Sequence, residues 1–257
     1  MRLSWSTKSV QRVRPYEKLA AIYDHVMQHV DYARWGRYIL RLLELWQPDA
    51  RRVLDIACGT GSLLQELSSR PLRLAGCDYS PPMVLRARQK PLLQRIPLFV
   101  ADMTRLSLRR PVDVVLCLYD SLNYLMEPQQ VARFFDNTAQ LLHPGGLLIF
   151  DICTEHNSLE FFFNYYDHER ADNFSYDRWS HYDRKNKIQY TEFKLRFKGD
   201  PVVYLEQHAQ RIYSIRTVLE LIGRSPFELL SAYHMFSLQP PTSRSNRVHF
   251  VLRRKEA

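Results

Sequence analysis

The chain has 257 residues, 46% of them hydrophobic and 25% charged, and a formal net charge of +9. That length buries a sizeable core in one large domain, or in one domain with an insertion, so folding needs neither a disulfide framework nor a metal. No stretch approaches the roughly 20 apolar residues of a membrane helix, and the basic segment from Met1 to Arg14 lacks the apolar run of a secretory signal; together these point to a cytoplasmic protein with no membrane partner. The charge gathers at the ends: residues 1–18 and residues 241–257 each carry five basic side chains and one acidic one, and the middle is nearly neutral. Basic ends attract nucleic acid or another acidic partner, or simply stay solvated. No aromatic-rich RNA-binding signature accompanies them, so nucleic acid is not the favoured partner.

In chain order, Leu19, Ile22, Tyr23 and Val26, then Ile39, Leu42, Leu43 and Trp46, fall at helical spacing. They predict two helices separated near His29 to Asp31, the second ended by Pro48. Strands and helices then alternate. Arg52–Ala57 is a short apolar run that ends at Gly59-Thr60-Gly61, and a helix follows over Leu63–Leu67. Leu72–Cys77 is a strand and Met83–Arg88 a helix. Leu98–Ala101 and Val112–Leu118 are further strands. A helix over Val131–Leu142 is stopped by Pro144-Gly145-Gly146, and Leu147–Ile152 is the fifth strand. Near-continuous apolar strands at this spacing predict a parallel sheet covered on both faces.

After Cys153 the texture changes to Phe and Tyr interleaved with charge. Phe193, Leu195 and Phe197 alternate with Lys194, Arg196 and Lys198, which is strand period. Ser214 offers an N-cap for a helix through Ile222, closed by Gly223, and Phe227–Phe236 and Val248–Leu252 complete the strands. The fold expected is α/β: a doubly wound, mostly parallel seven-stranded sheet with an antiparallel insertion after the fifth strand. The divisions are N-terminal helices over 1–47, a nucleoside-binding core over 48–157, the aromatic insertion over 158–213, and a final helix and two strands over 214–257. Cys58, Cys77, Cys117 and Cys153 form no CxxC pair and no zinc-spaced cluster, so they read as reduced core thiols and no metal site is expected.

The strongest chemical signal is Val53-Leu54-Asp55-Ile56-Ala57-Cys58-Gly59-Thr60-Gly61, a strand running into a small-residue turn and then a helix. Glycine there lets backbone pass close to a ligand, and the carboxyl end of such a strand is where open parallel sheets bind ligands. A dinucleotide turn would want a third glycine at position 64, which is Leu64. Instead Asp55 precedes the turn, and a carboxylate suits a cation better than a pyrophosphate. Asp78 ends the next strand, where ribose hydroxyls are bound in sheets of this kind. Asp102 and Met103 follow the third, where a carboxylate can accept from an exocyclic amine and a thioether can pack on a purine. Three acids at three successive strand ends describe a cradle for a positively charged nucleoside.

These segments, LDIACGTG, then GCDYS with Met83 after it, VADMTRL, VDVVLCLYDSLNYL and LLHPGGLLIFDI, resemble the ordered motifs of class I S-adenosylmethionine (SAM)-dependent methyltransferases. The likeness covers roughly residues 16–155 well and the last two strands more loosely. It implies SAM as cofactor, with Ala57, Gly59 and Gly61 near its methionine portion and Asp78 on its ribose. Tyr79 and Met83 would flank the adenosine, Asp102 and Met103 the adenine, and Leu118 and Tyr119 the sulfonium. The segment YEKLAAIYDHVMQHVDYARW is similar to the N-terminal helices of the small-molecule branch, which includes amino-sugar and glycine/sarcosine N-methyltransferases. There the helices close over the cofactor, which makes Tyr16, Tyr23 and Tyr32 candidates; ordinary helix packing is the other reading of each.

The resemblance implies methyl transfer by in-line displacement to a nitrogen or oxygen. The acceptor should approach the end of the fourth strand, Tyr119-Asp120-Ser121-Leu122-Asn123-Tyr124. The (Asn/Asp)-Pro-Pro-(Tyr/Phe) sequence of adenine and glutamine methylation is absent, as are the Pro-Cys or Thr-Cys pairs of thiolate-dependent cytosine methylation, which favours a small-molecule acceptor. Asp120 is the expected base or amine anchor, with Tyr119 beside it; a loop cap is the other reading of Asp120. His156 and His208 are further bases to consider. The aromatic insertion reads as a lid over the acceptor or as a dimer surface, so monomer and homodimer both remain open. An RNA or protein methyltransferase, and a catalytically silent SAM-binding regulator, are the competing readings.

Overall fold

The computed structural model describes residues 9–256. In chain order the elements are β1 (Val10–Val13), α1 (Tyr23–Val26), α2 (Tyr32–Trp46), β2 (Arg52–Ile56), α3 (Ser62–Leu67), β3 (Arg73–Asp78), α4 (Pro81–Gln89), β4 (Leu98–Val100), β5 (Val112–Cys117), α5 (Pro128–Leu141) and β6 (Leu142–Cys153). Then come α6 (Glu155–Phe161), β7 (Tyr165–Arg170), β8 (Phe174–Asp183), β9 (Ile188–Phe197), β10 (Val203–Arg211), α7 (Ile215–Gly223), β11 (Phe227–His234) and β12 (Arg247–Arg254).

Seven strands form one sheet in the order β11-β12-β6-β5-β2-β3-β4. The five from β6 to β4 run parallel, and β12 pairs antiparallel with β6 and with β11. Residues along each central strand alternate between two cores. Leu54, Ile56, Val115, Cys117, Leu148 and Phe150 meet Phe134 and Phe135 of α5 and Val218 and Ile222 of α7 on one face. Val53, Val114, Leu116, Leu147 and Ile149 meet α2, α3 and α4 through Ile39, Leu42, Leu64, Leu67, Val84 and Ala87 on the other. Helix α2 shows why it forms: Asp31 caps it, its Oδ1 accepting from Arg34 N at 2.7 Å, and its apolar stripe is fully buried. Each such Leu or Ile contributes ~1.5–3 kcal/mol, so tertiary packing rather than intrinsic propensity holds the helix.

A second, five-stranded sheet has the order β1-β10-β9-β8-β7. The insertion supplies four of these strands as an antiparallel meander. The fifth strand was not foreseen: Val10–Val13, in a region read as helical, pairs parallel with Val203–Glu206. Four residues are too few to show a period, and their partner lies some 190 positions away. The first expected helix is also reduced, to one 3₁₀ turn over Leu19–Ala21 and one α-turn over Tyr23–Val26. The apolar spacing there reports a contact and not a long helix: Leu19, Ile22 and Val26 pack on Tyr176, Phe193, Leu195 and Tyr204 of the second sheet. The Pro144-Gly145-Gly146 sequence does not stop α5 either; the helix gives way at Leu142, and β6 runs through those residues with a register shift against β5.

Cys77, Cys117 and Cys153 are buried and Cys58 is half-buried, and all four are free thiols. Among the described residues no helix is long and apolar enough to cross a membrane. Of the basic N-terminal stretch, residues 1–8 lie outside the described residues. At the other end, Arg247, Arg253, Arg254 and Lys255 all donate hydrogen bonds to the protein itself.

Candidate active site

Strand β2 has β3 on one side and β5 on the other, so chain order reverses there and a crevice opens beyond its carboxyl end. The turn that follows carries Ala57, Gly59 and Gly61 at positive φ of 61°, 56° and 76°. Gly61 is closely packed as well, because a Cβ would press on the Leu93 side chain. Asp78 at the end of β3 ties two turns together: Gly59 N donates to its Oδ2 and Ser80 N to its Oδ1, both at 2.8 Å. Asp102, beyond β4, accepts at Oδ1 from Thr104 N and Thr104 Oγ1. Asp55 differs. It is 3% exposed, and its carboxylate has no hydrogen-bond or ion-pair partner among the described residues. Burial, aided by the charge of Asp78, pushes its carboxyl up to about 8. A buried acid in that state calls for a cation.

Past β5, Tyr119 and Asp120 adopt left-handed φ of 59° and 53°. Asp151 of β6 holds them there by accepting Tyr119 N at 2.6 Å and Asp120 N at 2.9 Å. Arg247 of β12 pairs with Asp151 and, at 2.5 Å, with Asp120, whose other oxygen accepts from Gln210 Nε2 at 2.6 Å. Burial raises the Asp120 carboxyl while Arg247 opposes it. Both Asp120 oxygens are thus occupied by donors, Arg247 on one and Gln210 on the other.

These loops open into a cavity of about 1230 Å³. Tyr16, Tyr23, Tyr32, Asp55, Ala57, Gly59, Asp78, Tyr79, Met83, Asp102, Met103, Leu118, Tyr119 and Asp120 all line it. Gly61 does not; it faces Leu93 and Ala87 instead, so its glycine serves packing. Of the two candidate histidines, His208 lines the cavity, whereas His156 pairs with Glu160 at 3.4 Å on the outside. Burial raises the hydroxyls of Tyr16, Tyr23 and Tyr32 above the ordinary tyrosine value, so each stays protonated.

Several lining residues escaped the sequence reading. Arg178, Gln189, Thr191, Phe193, Gln210 and Arg247 reach the cavity from the second sheet and from β12. No local motif marks them. For Gln189, Thr191, Phe193 and Gln210, period-2 alternation along β9 and β10 was the one signal, because every second side chain there points the same way.

A family model described as a methyltransferase domain matches residues 53–146. A provisionally named methyltransferase of Geobacillus sp. (strain WCH70) is 30% identical over 247 residues, covering 93% of this chain and 99% of that protein. The dTDP-4-amino-2,3,4,6-tetradeoxy-D-glucose N,N-dimethyltransferase of Saccharopolyspora spinosa is 30% identical over 135 residues, covering 51% of this chain and 53% of that enzyme. Among solved structures, an S-adenosylmethionine-dependent methyltransferase from Clostridium acetobutylicum superposes with a TM-score of 0.80 at 22% identity, covering 94% of this chain and 99% of that one. The glycine turn, the acids at successive strand ends and a full-length relative agree, and the chain belongs to the SAM-dependent methyltransferases.

Proposed function

We propose that this enzyme transfers the methyl group of SAM to the nitrogen of a small-molecule amine held between the parallel sheet and the antiparallel lid. The observation that carries the cofactor half is Asp55, a buried acid facing the cavity beside Asp78 and without a partner among the described residues. When bound, SAM supplies an electrophilic methyl group on a sulfonium together with an ammonium. Asp55 neutralises that cationic end. Asp78 accepts the ribose hydroxyls with the lone pairs that Gly59 and Ser80 leave free. Met83 and Tyr79 flank the adenosine. The Oδ2 of Asp102, which Thr104 does not use, accepts from the adenine amine, with Met103 against the ring. Ala57 and Gly59 give the methionine portion close approach to backbone, and Leu118 and Tyr119 wall the sulfur.

The nitrogen acceptor is supported by the amino-sugar enzyme of S. spinosa, which matches half of this chain. Holding acceptor, methyl and sulfur in line contributes ~7–11 kcal/mol of the barrier lowering, and the aromatic lid keeps water out while that alignment lasts. Tyr16, Tyr23 and Tyr32 supply the N-terminal side of that enclosure. The divisions read from the sequence fit this use: residues 48–157 hold the cofactor and 158–213 shape the acceptor space. Four free thiols suit the reducing cytoplasm.

Calorimetry tests the cofactor half: SAM should bind in the micromolar range, and the reading fails if the crevice ignores SAM yet takes a phosphate-bearing nucleotide. Production of S-adenosylhomocysteine with a panel of amines, alcohols and tRNA tests the acceptor half, and turnover confined to alcohols or tRNA would reject an amine.

A further inference from the structure

We propose that Tyr16, Tyr124, His208 and Glu206 form a proton relay that takes the acceptor's ammonium proton, with His208 as its terminal base. The proposal rests on the amine-acceptor reading above.

The four groups form one continuous chain. Tyr16 Oη lies 2.5 Å from Tyr124 Oη, which lies 3.0 Å from His208 Nδ1. His208 Nε2 lies 3.1 Å from Glu206 Oε1. They come from three places: the segment before the first 3₁₀ turn, the 3₁₀ turn over Ser121–Tyr124, and β10. Tyr16, Tyr124 and His208 line the cavity, and Glu206 lies behind them, fully buried.

Counting donors fixes the direction. Glu206 accepts backbone N–H groups from Tyr16, Lys18 and Leu19 at 2.6, 3.0 and 3.0 Å, so both oxygens are occupied before the histidine is considered. Three backbone N–H donors favour the ionised form of Glu206, and a carboxylate facing His208 requires that Nε2 be the nitrogen that carries hydrogen. Nδ1 is then a free base, and Tyr124 donates to it. The Tyr124 oxygen accepts from Tyr16, and the Tyr16 oxygen keeps a lone pair for the cavity. Both tyrosine hydroxyls are raised by burial and stay protonated, so they pass a proton on and do not store it.

The step balances. An N–H proton of the acceptor ammonium moves to Tyr16 Oη, the Tyr16 proton moves to Tyr124 Oη, and the Tyr124 proton moves to His208 Nδ1. The imidazolium formed is paired with the Glu206 carboxylate. The freed nitrogen lone pair forms the N–C bond to methyl as the C–S electron pair returns to sulfur.

One carboxylate performs two tasks. Glu206 orients the imidazole, and by holding Tyr16 N it also keeps Tyr16 at a φ of 61°, a conformation strained for a non-glycine residue. The site is therefore complete only when the N-terminal segment is seated on the second sheet. The titratable groups facing His208 are Glu206, Tyr124 and Tyr16; Phe193 and Thr191, which face it from β9, carry no charge. Tyr23 packs edge-on against Tyr16 at 5.8 Å, and the charge of Asp120 reaches Tyr16 and Tyr124.

The test is methyl transfer from SAM to D-glucosamine, D-galactosamine and dTDP-4-amino-4,6-dideoxy-D-glucose between pH 6 and 10. His208→Gln should lower kcat/KM about 100-fold at pH 7, and the deficit should shrink to under about threefold at pH 10, where solvent has removed the ammonium proton. Tyr124→Phe, which leaves the buried His208–Glu206 pair in place, should follow the same trend with a loss of about tenfold. SAM affinity should stay within about twofold throughout. Deficits that persist unchanged to pH 10, or wild-type rates at pH 7, overturn the relay. Independently of any acceptor, nitrogen-15 correlation spectra of the neutral His208 ring should show hydrogen on Nε2; hydrogen on Nδ1 overturns the wiring. If SAM binds but none of these amines is methylated, the amine reading falls, and the His208 tautomer still decides whether the chain of donors exists.

Discussion

A wall of strand ends and a wall of sheet face meet across the cavity. On the strand-end side Asp55, Asp78 and Asp102 each sit at or within two residues of a parallel strand's last position, and backbone amides from the same or the neighbouring turn satisfy Asp78 and Asp102. On the sheet-face side His208, Gln210 and Arg247 each reach a partner far along the chain, 84, 90 and 127 positions away. The first wall is a set of local solutions repeated along one edge. The second is built from two long-range chains, Tyr16–Tyr124–His208–Glu206 and Gln210–Asp120–Arg247–Asp151. Substitutions on the first should change ligand binding, and substitutions on the second should cost stability or chemistry.

The largest expected effect tests the second wall. Arg247 is the counter-ion of both Asp120 and Asp151, and Asp151 in turn fixes the left-handed turn at Tyr119 and Asp120. Arg247→Met would leave two buried carboxylates unpaired, and breaking a buried pair in this way costs ~3–5 kcal/mol. Denaturant unfolding measures it. A loss below about 1 kcal/mol would mean that water already shares those charges.

On the first wall, Asp78→Ala should leave the fold intact and weaken SAM at least about tenfold, because ribose hydroxyls and the amides of Gly59 and Ser80 lose a charged acceptor together. Unchanged affinity by calorimetry would remove Asp78 from the site.

Why one wall was legible in the sequence and the other was not follows from the same contrast. Asp55, Gly59, Asp78 and Asp102 stand beside strands that announce themselves as apolar runs, so their place in the chain gives their place in space. The parallel sheet and its order of helices followed from that pattern. Arg247 sits in a basic C-terminal stretch that reads as solvated charge, and its partners lie on β5's turn and β6. Glu206 and His208 lie on β10 among alternating polar residues, where composition does not reveal that one carboxylate takes four donors. The partners of Asp120 were hidden for the same reason: its adjacency to a strand end was visible, but the arginine that pairs with it was not.

Asp55 sharpens the comparison through pH. In the ligand-free protein its carboxyl titrates near 8, against about 4 in an unfolded chain. The folded state thus binds more protons between those values, and the residue's destabilising effect grows as pH rises through that window. Asp55→Asn should therefore gain stability relative to the wild type at pH 8 but not at pH 4, by roughly 1–3 kcal/mol in thermal unfolding. Cofactor binding should run the other way. A cation must displace the Asp55 proton, so wild-type affinity for SAM should rise with pH, by at most about tenfold per unit, up to about 8. The Asn variant should bind more weakly with no such slope. A wild-type affinity that is flat from pH 6 to 8 would show that Asp55 does not meet the cationic end.

The smallest effect is expected at Tyr79, the one residue of the first wall that is mostly in solvent, at 74% exposure. It follows Asp78 directly and precedes the Ser80 cap of α4, so the backbone that places it is fixed by bonds it does not make itself. Tyr79→Ala should therefore leave stability within about 0.5 kcal/mol, as for other exposed sites. Its contribution is the face of a ring against the adenosine, which buries area only when the cofactor arrives. Such contact is worth about 1 kcal/mol at a half-open position, or roughly a fivefold loss of SAM affinity with kcat unchanged. A loss as large as that of Asp78→Ala would mean that the ring closes over the nucleoside as a true lid, and the division between a binding wall and a closing wall would have to move to include it.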